Sequence, residues 1–573
     1  MGNDTNTYSE KQVLPDSEYI PPYRKYFVET QDENGVLTNI SYVNQSNFNF
    51  AFDVVDYIAK YKPDKLAMLH IGEDHTERKF SFRDMSLYSN MTANYFASLG
   101  IHKGSRVMLV LKRNYQFWFS ILALHKLGAI VIPTCNLLLE KDFVYRIQTA
   151  DINAIVCTSS GNIADVIDQA ISSIEENPTR IIVGNQREGW HYFDEEFKQY
   201  SNIFERPTKD ESVSEKDPML MFFTSGTTSH PKITLHNFLY PLGHYVTAKY
   251  WQRVNPNGLH LSLADTGWAK ALWGKIYGQW LLEAPIFVYD YTNFNATEIL
   301  KYIEQYKITT FCAPPTLFRV IVCLNLKEFN LSSLEHVTTA GEALNPIIFD
   351  KFLNATGLQI FEGFGQSETT LTIGNFDDSC PKNGSLGKPN PSYHISIMKP
   401  DGTKAATNEV GEIVICVKES TPPGLFLEYY GDEELTKRTW YDGYYHTGDT
   451  AYEDEDGYYW YVGRVDDLIK SAGYRVSPFE IESELMKIPF IMECAVTSVP
   501  DNKRGQAIKA SVVLKKEFVE TQELRNEFFT YVSGHLASYQ RPKLLSIVPE
   551  LPKTTSGKIQ RALIKAKDWN KVK

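Results

Sequence analysis

Residues 219–232 read Met-Leu-Met-Phe-Phe-Thr-Ser-Gly-Thr-Thr-Ser-His-Pro-Lys. A short apolar run that ends in Thr, Ser and Gly is typical of a buried strand followed by a loop. The loop offers hydroxyls, a Gly and Lys232, and phosphate groups bind to such donors. It is not a Walker loop, because Pro231 replaces the Gly that should precede the Lys. Taken alone, the stretch is also compatible with a Ser/Thr-rich surface turn.

Similar apolar runs recur on both sides of this stretch and alternate with helical periodicity. Helices are predicted near residues 53–61, 82–99 and 115–126. Short apolar runs separated by helices indicate parallel sheets covered by helices, so the fold class is α/β. The predicted strands are 66–70, 106–111, 129–133, 154–158, 180–184, 219–223, 285–289 and 309–313.

The hydrophobic pattern of the sequence changes after about residue 384. Short alternating strands near 412–418 and 458–462 indicate an antiparallel or barrel-like unit. A strand near 507–514 and a helix near 521–536 indicate a small terminal α+β unit. The polar opening segment is predicted to be an extended arm laid over the body. The predicted division is an N-terminal extension, a large domain and a C-terminal lid domain, at 1–48, 49–465 and 466–573.

Composition excludes several classes of protein. The chain has 573 residues, of which 43% are hydrophobic and 13% aromatic, enough for large buried cores. This excludes a disordered or collagen-like protein. The net charge of −12 argues against a dedicated nucleic-acid-binding protein, which usually carries net positive charge.

The cysteines and the first residues predict a cytoplasmic protein. No two of the seven cysteines form a CxxC pair, so neither a zinc site nor a disulfide framework is expected. The opening residues lack the basic and apolar regions of a signal peptide, and Asn6 breaks the myristoylation pattern. The longest apolar stretch, 117–133, is shorter than a membrane span of roughly 20 residues.

Residues 362–368, Glu-Gly-Phe-Gly-Gln-Ser-Glu, combine a Gly turn with a carboxylate and a hydroxyl. Glu368 takes the third Gly position of a GxGxxG fingerprint, so a dinucleotide-binding motif is rejected. A carboxylate beside a hydroxyl suits a hard cation such as Mg²⁺. A simple turn is the alternative.

Three further segments place charged groups next to Gly turns. Asp449 in 445–449 can accept from two sugar hydroxyls, and Arg464 can pair with sugar or phosphate oxygen. Residues 551–561, Leu-Pro-Lys-Thr-Thr-Ser-Gly-Lys-Ile-Gln-Arg, place Lys558 in a basic tail. Each segment alone is also compatible with a solvated turn.

Together and in this order, the segments resemble the adenylate-forming (AMP-binding) superfamily, specifically the acyl-CoA synthetases. The likeness is to the medium-chain type, through Asp-Thr-Gly-Trp-Ala-Lys at 265–270 and Ala-Gly-Glu-Ala-Leu-Asn-Pro at 340–346. It runs from about Phe50 to the end of the sequence. The resemblance implies a large α/β body with a β-barrel-like subdomain, followed by a small mobile α+β domain.

The resemblance also implies a reaction. A carboxylate attacks the α-phosphate of MgATP to give an acyl-adenylate and pyrophosphate, and the thiol of coenzyme A then displaces AMP. A carboxylate oxygen is a poor leaving group until it is phosphorylated, so adenylation supplies the leaving group. The implied cofactors are ATP, Mg²⁺ and coenzyme A, in a ligase of fatty acid metabolism.

By this resemblance the catalytic residues are Lys558, Glu368 and Ser367. Lys558 reaches the reacting carboxylate and the α-phosphate, and an ammonium between two anions orients and neutralises them. Glu368 holds Mg²⁺. Ser367 stands where the family has Thr, and Ser229 stands where the loop usually has Gly.

The implied ATP site draws on four parts of the chain. Residues 224–232 wrap the β- and γ-phosphates, residues 341–343 frame adenine, Phe364 stacks on it, and Asp449 and Arg464 hold the ribose. The ATP-binding residues implied are Thr224, Ser225, Gly226, Thr227, Thr228, Lys232, Gly341, Glu342, Ala343, Glu362, Gly363, Phe364, Gly365, Gln366, Ser367, Asp449 and Arg464.

Lys558 lies more than 300 residues from the phosphate loop, so it acts only when the terminal domain closes over the body. In the family this domain then rotates about a hinge, which matches Asp466, and presents another loop to the pantetheine arm of coenzyme A. The residues implied for coenzyme A are Gly473, Tyr474, Arg475 and Arg504.

The acyl pocket is implied to involve Trp268, Gly341 and Gly365. Acetate-specific relatives place a Trp where this chain has Gly365, so a glycine there leaves room for a longer or bulkier tail. The predicted substrate is butyrate through octanoate, or a branched or aryl acid, and an apolar acyl group fits the aromatic lining.

Two other functions stay open. One is an adenylation enzyme that loads a carrier protein, and the other is a non-catalytic sensor of acyl-adenylate or nucleotide. Retention of the charged residues Lys558, Glu368, Asp449 and Arg464 argues against the sensor. The expected partners are a small carboxylic acid, ATP and coenzyme A, with no nucleic acid and no membrane span, and a homo-oligomer is left open.

Overall fold

The computed structural model describes residues 19–224, 230–376, 381–471, 474–501, 505–554 and 558–569. Strands and helices are numbered along the chain. The strands are β1 Phe27–Gln31, β2 Leu37–Tyr42, β3 Leu66–Ile71, β4 Glu77–Ser81, β5 Arg106–Val110, β6 Ile130–Pro133, β7 Ala154–Thr158, β8 Thr179–Val183, β9 His191–Tyr192, β10 Pro218–Thr224, β11 Lys232–Asn237, β12 His260–Ser262, β13 Ile286–Tyr289, β14 Thr310–Cys312, β15 His336–Ala340, β16 Ile360–Gly365, β17 Leu371–Gly374, β18 Lys388–Pro389, β19 Ile395–Met398, β20 Gly411–Cys416, β21 Glu428–Tyr429, β22 Trp440–Tyr441, β23 Tyr444–Glu453, β24 Tyr459–Arg464, β25 Ile469–Ser471, β26 Tyr474–Val476, β27 Ile491–Asp501, β28 Gly505–Leu514 and β29 Leu544–Ile547.

The helices cover the two large sheets and the terminal unit. They are α1 Pro22–Tyr26, α2 Tyr57–Tyr61, α3 Phe82–Ser98, α4 Gln116–Leu127, α5 Glu140–Thr149, α6 Ile163–Ser172, α7 Phe193–Glu196, α8 Ala269–Gly274, α9 Tyr277–Leu281, α10 Ala296–Tyr306, α11 Pro315–Ile321, α12 Pro346–Thr356, α13 Glu433–Thr439, α14 Pro478–Leu485, α15 Gln522–His535 and α16 Arg561–Trp569.

Two large sheets form the body. The first has eight strands in the order β21-β11-β10-β6-β5-β7-β8-β9, and the second has nine in the order β18-β17-β16-β15-β14-β12-β13-β3-β4. The central strands of both are parallel, whereas pairs such as β10–β11 and β16–β17 at one side are antiparallel. The predicted parallel sheets are present, and the boundaries of most predicted strands differ by at most two residues. Apolar runs without alternation are buried on both faces, which parallel sheets require.

The most apolar stretch of the sequence lies inside the body. All twelve residues of α4 are buried, and Gly128, with a φ of 72°, ends the helix in the left-handed conformation that glycine adopts readily. A helix that is buried on every side, including at its polar residues, is an interior helix. In the described part of the chain, no helix is both long and apolar enough to cross a membrane.

The segment after residue 384 forms two antiparallel units and a small terminal sheet. Strands β19, β20, β22, β23 and β24 make a five-stranded antiparallel sheet. Strands β25 and β26 form a hairpin, and β27, β28 and β29 form the terminal sheet, on which α14 and α15 bury Ile481 and Phe528. This agrees with the change of hydrophobic pattern that the sequence shows there. The proposed domain boundaries at 49, 465 and 466 stay a prediction.

The described part of the opening segment is a hairpin rather than an extended arm. Helix α1 leads into the antiparallel pair β1–β2. The carboxylate of Glu29 on β1 accepts hydrogen bonds from Tyr245, Lys249 and Tyr250 of the body at 2.6–3.0 Å. Because Phe27 also stacks on Tyr245 at 3.9 Å between ring centroids, the hairpin is pinned to the body.

Candidate active site

The residues that the sequence singled out come together where several strands end. The loops after the parallel neighbours β15 and β16 leave the same edge of the nine-stranded sheet. The hairpin β10–β11 and the pair β23–β24 supply the other walls. Ligands of open parallel sheets bind at such carboxyl edges because the loops diverge there.

The base of the phosphate loop is a strand pair. Thr224 ends β10 and lies directly opposite Lys232, the first residue of β11. Burial lowers the pKa of Lys232, and the carboxylate of Glu368 acts in the opposite direction. The Lys232 ammonium also lies 4.9 Å from the centre of the Tyr429 ring. Four of the predicted phosphate contacts, Ser225, Gly226, Thr227 and Thr228, lie outside the described residues.

Glu368 lies in the turn after β16, within electrostatic reach of Lys232. The Tyr429 hydroxyl donates to its Oε1 at 2.7 Å, and the amide of Phe426 donates to its carbonyl at 2.8 Å. Among the described residues there is no cluster of three His, Cys, Asp or Glu side chains that could hold a metal. A single carboxylate fits Mg²⁺, which usually binds one or two carboxylates together with substrate phosphates.

The predicted adenine frame follows β15 and is braced from β16. Gly341 has a φ of 107°, a left-handed backbone conformation that a side chain at this position would strain. Directly after Glu342 and Ala343, the amide of Leu344 donates to Glu362 Oε1 at 3.1 Å. Burial raises the pKa of Glu362 to about 8, and the Leu344 amide acts in the opposite direction.

The predicted ribose site is a network of hydrogen bonds. Asp449 on β23 lies opposite Arg464 on β24, with Arg464 Nη1 donating to Asp449 Oδ2 at 3.2 Å. Tyr461 donates to Asp449 Oδ1 at 3.0 Å, and the Gln366 side-chain amide donates to Oδ2. Tyr445 in turn donates to Gln366 Oε1 at 2.8 Å. Asp449 is buried, which raises its pKa, whereas Arg464, Tyr461 and Gln366 lower it.

The remaining predicted residues of the 362–368 segment are also at this edge. Phe364 lies 6.2 Å from Tyr461 between ring centroids, beside the Asp449 network. The carbonyl of Ser367 accepts a hydrogen bond from His236 Nε2 at 2.8 Å. Gly363 lies within the packed core, because a Cβ there would come within 2.7 Å of Trp251.

Lys558 reaches this site from the terminal unit. Its main chain is paired with that of Thr554: Thr554 N donates to the Lys558 carbonyl at 2.8 Å, and Lys558 N donates to Thr554 Oγ1 at 3.1 Å. The side chain is exposed. Its positive charge lowers the pKa of Lys270 and that of Asp449, after larger effects of burial and neighbouring groups. The Lys558 ammonium therefore lies within electrostatic reach of both.

The predicted acyl pocket differs from the expectation in one respect. A Cβ placed on Gly365 would lie 2.4 Å from Cη2 of Trp273 and 2.5 Å from the carbonyl oxygen of Thr370. The glycine therefore makes room for the Trp273 indole, in the space that the sequence interpretation reserved for the acyl chain. Trp268 is half-buried at the N-terminal end of α8, the helix that carries Trp273.

The side chains predicted to contact coenzyme A lie outside the described part of the chain. Gly473 and Arg504 lie outside the described residues, as do the side chains of Tyr474 and Arg475 on β26. Asp466, the predicted hinge, is exposed just after β24.

Sequence reasoning gave no role to several residues that line the site. Lys270 stood in the Asp-Thr-Gly-Trp-Ala-Lys segment without an assignment, and Trp273 follows it by three residues. Residues three apart on a helix lie on one face, which was the signal for grouping this pair. Tyr429 and Tyr461 carried no signal, because only folding brings them to Glu368 and Asp449.

Comparison with known proteins identifies the family. The family model described as AMP-binding enzyme matches residues 55–430, and the model described as AMP-binding enzyme C-terminal domain matches residues 480–558. The human acyl-coenzyme A synthetase ACSM3, mitochondrial, is 35% identical over 536 residues, which cover 92% of this chain and 90% of the relative. The rat acyl-coenzyme A synthetase ACSM5, mitochondrial, is 35% identical over 534 residues, 91% of each chain.

Two solved structures are similar over most of their length. The anthranilate CoA ligase AuaEII in complex with anthranoyl-AMP has a TM-score of 0.82 and 26% identity, covering 91% of this chain and 97% of its own. A Brucella canis acyl-CoA synthetase has a TM-score of 0.68 and 28% identity, covering 92% and 95%. The predicted fold class and the resemblance to adenylate-forming enzymes are confirmed.

The same comparison contradicts the expected cytoplasmic location. The ACSM3, ACSM4 and ACSM5 relatives are all named as mitochondrial proteins. The expectation rested on cysteine spacing and on the opening residues, and neither feature specifies a compartment, so it was wrong.

Proposed function

Because the chain belongs to the AMP-binding enzyme family, we propose that it is an AMP-forming acyl-CoA synthetase. It converts a carboxylic acid and MgATP into an acyl-adenylate and pyrophosphate, and then transfers the acyl group to coenzyme A. The names of its relatives, acyl-coenzyme A synthetases at 35% identity, support this activity.

The observation that carries the proposal is the position of Lys558. The side chain comes from the terminal unit, yet its charge acts on Asp449 of the predicted ribose site. A cation within electrostatic reach of the proposed ribose site can act on the α-phosphate and on the carboxylate that attacks it. It offsets the repulsion of the two anions in the transition state, where one preorganised donor contributes about 3–4 kcal/mol.

The body holds ATP while the terminal unit supplies this charge. Asp449 accepts hydrogen bonds from the ribose hydroxyls. Gly341 has no side chain, so the adenine can approach the backbone there. Thr224 and Lys232 lie on either side of the phosphates. Glu368 would hold Mg²⁺, which neutralises phosphate charge when bound. Hydrogen bonds to Gln366 and Tyr461 fix the Asp449 carboxylate before ATP arrives, so little ordering remains to be done on binding.

The domain division is part of the same proposal. A body of residues 49–465 carries the ATP and acyl sites, and a lid of residues 466–573 carries Lys558 and the coenzyme A loop with Gly473, Tyr474, Arg475 and Arg504. Rotation about Asp466 withdraws Lys558 after adenylation. The exposure of Asp466 beyond the end of β24 supports a hinge there.

The acid is short, branched or a flat aryl acid. The Trp273 indole against Gly365 shortens the pocket that Gly341 and Trp268 begin, which favours butyrate-sized or flat acids over octanoate. Similarity to an anthranilate CoA ligase supports an aryl acid. The mitochondrial names of the relatives support a mitochondrial location and a place in fatty acid metabolism.

A pyrophosphate-release assay with C2–C12 and aryl acids tests the activity. We expect acid-dependent pyrophosphate release, with AMP and an acyl-CoA appearing only when coenzyme A is added. Adenylation without any acyl-CoA would contradict the proposal and favour a carrier-protein-loading enzyme. Binding of ATP without pyrophosphate release for every acid would favour a sensor.

A further inference from the structure

The helix α8 brings a second cation to the reacting groups. Lys270 lies on this helix, and its Nζ donates a hydrogen bond to the carbonyl of Ala340, the residue before Gly341. Nζ is also 3.7 Å from the position that a Cβ on Gly341 would take. The ammonium therefore lies against the loop that the adenine and the acyl carboxylate are proposed to share.

The charge of Lys270 has no counter-ion among the described residues. No carboxylate in the described part of the chain lies within 4.0 Å of its Nζ, and the nearby Glu342 is 3.8 Å from Arg319. Two charged groups act on Lys270 at this loop: Lys558 repels it and Glu342 attracts it. Burial is the largest effect and lowers the pKa of Lys270, and Lys558 adds to this, whereas Cys312 and Glu342 act in the opposite direction.

A lysine that is hydrogen-bonded to a backbone carbonyl beside Gly341, with no carboxylate within 4.0 Å in the described part of the chain, is suited to bind an anion. An ammonium has three donors, and the Ala340 carbonyl uses one. The two others are free to reach an anion held over Gly341. Burying a charge without a partner is costly, so a ligand that supplies the missing anion binds there strongly.

Resting on the proposed function, we infer that Lys270 binds the carboxylate of the acid, and then the acyl carbonyl oxygen, in both half-reactions. In the first step a carboxylate oxygen bonds to the α-phosphorus and pyrophosphate leaves with its electron pair. In the second step the sulfur of coenzyme A bonds to the carbonyl carbon, the C–O bond to AMP breaks, and the thiol proton passes to solvent. Lys270 gains and loses no proton in either step.

This role differs from that of Lys558 because of where each residue is anchored. Lys270 belongs to α8, which packs in the body through Trp273 and Leu272. Lys558 belongs to the terminal unit, which leaves the site before coenzyme A enters. Lys270 therefore acts in both steps, whereas Lys558 acts only in the first.

The two half-reactions of Lys270→Met and Lys270→Gln, measured separately, test the inference. We expect adenylation, and acyl-CoA formation from supplied acyl-adenylate, to fall by about 10²- to 10³-fold each. The KM for the acid should rise while the KM for ATP stays unchanged. Lys270→Arg should recover part of both rates because it restores the charge.

The control is Lys301→Gln, which removes an exposed lysine from α10 and should leave both rates unchanged. A loss confined to adenylation, or a rise in the KM for ATP alone, would overturn the inference. If the Met variant does not fold, the Gln variant keeps a side chain that can donate to Ala340 without the charge.

A binding measurement separates this inference from the proposed function. Calorimetry with a non-reactive acyl-sulfamoyl adenosine requires no turnover. We expect Lys270→Gln to bind this probe at least 10-fold more weakly than the wild type. Equal binding would overturn the role of Lys270, whatever the wild type's turnover with acids shows.

Discussion

The two walls of the active site are built in opposite ways. On the body side, Asp449 is buried and fixed by Gln366, Tyr461 and Arg464. On the terminal side, the Lys558 side chain is exposed, and its main chain is hydrogen-bonded to Thr554. The Asp449 carboxylate is therefore held in place before any ligand binds, whereas the Lys558 ammonium is carried by a long, exposed side chain.

We therefore expect the fixed carboxylate to affect nucleotide binding, and the Lys558 charge to affect only the step during which the terminal unit is docked. A fixed carboxylate contributes to nucleotide affinity in every step, because ATP and the acyl-adenylate carry the same ribose. A charge from a separate unit contributes only while that unit is docked. Substitutions on the two walls should therefore change different kinetic constants.

The largest effect is expected on the terminal wall. Lys558→Ala should lower adenylation by about 10²- to 10³-fold, because it removes the cation between two anions. Acyl-CoA formation from supplied acyl-adenylate should be largely spared. Single-turnover assays of each half-reaction measure both effects.

The matched control for this variant is Lys553→Ala, which removes a lysine that pairs with Glu493 and lies near Lys558 in the sequence. It should leave both half-reactions close to the wild-type rates. Equal loss of both half-reactions in Lys558→Ala would contradict the assigned division of labour.

A second prediction concerns pH and the body wall. The pKa of Glu362 is about 8 in the folded protein, against 4.5 for an ordinary glutamate, because the carboxyl is buried. Its stabilising contribution is fully present below about pH 4.5 and is lost as pH rises to about 8. A tenfold change in an acid dissociation constant corresponds to about 1.4 kcal/mol, so the lost stability amounts to a few kcal/mol.

Urea unfolding of wild type and Glu362→Gln at several pH values measures this loss. Between pH 4.5 and 8 the wild type should lose stability relative to the variant, and the difference should then stay constant. Stability curves that run parallel from pH 5 to 9 would show that Glu362 is ionised in the fold.

The ribose network predicts a smaller, ATP-specific effect. Asp449→Asn should raise the KM for ATP by about 10- to 100-fold, because a hydrogen bond to a charged group contributes about 1.5–3 kcal/mol. The KM for the acid should change little. Asp456→Asn, at an exposed turn residue that pairs with Lys382, is the control for a lost surface charge.

A result in which Asp449→Asn alters the KM for the acid more than that for ATP would remove Asp449 from the ribose site. Steady-state titrations of each substrate at saturating concentrations of the others distinguish the two outcomes.

We expect the smallest effects, on stability and on chain-length preference, from substitutions in the proposed acyl pocket. Gly365→Trp should destabilise the protein by about 1–3 kcal/mol, because the new ring meets Trp273. Trp273→Ala should open the pocket and shift preference toward longer acids by about 10-fold. Combining the two substitutions should recover only part of the lost stability, because a Cβ at position 365 still meets the Thr370 carbonyl, and it should restore the preference for short acids.

Unfolding midpoints and a chain-length panel measure these variants. Additive losses of stability in the double variant would show that residues 273 and 365 do not share the space. An unchanged preference in Trp273→Ala would move the acyl pocket elsewhere.

Much of the site was predictable because its residues lie in short segments next to apolar runs. The strand predicted at 219–223 fixed the place of the loop that ends at Lys232, and it is β10. The Gly turn noted at 362–368 overlaps the end of β16, so Glu368 lies just beyond a strand that the sequence analysis did not predict. Each of these predictions needed only neighbours in the sequence.

Contacts between residues that are far apart in the sequence could not be predicted. Tyr429 meets Glu368 across 61 positions, and Lys270 meets Ala340 across 70. A tyrosine or lysine on a helix or strand carries no local signal of such a partner. The space beside Gly365 was assigned to substrate for the same reason, since Trp273 reaches it from another element.

From the sequence alone came the α/β body and the order of the motifs, and the family resemblance carried by those motifs implied the chemistry of an acid, ATP and a thiol. Hydrophobic periodicity and turn residues are local properties, so they are legible without a fold. The side chains that lie together around Asp449 and Lys270, and the Trp273 ring that occupies the space beside Gly365, became visible in the folded protein. Such contacts depend on how helices and strands pack against one another, and local sequence patterns do not predict that packing.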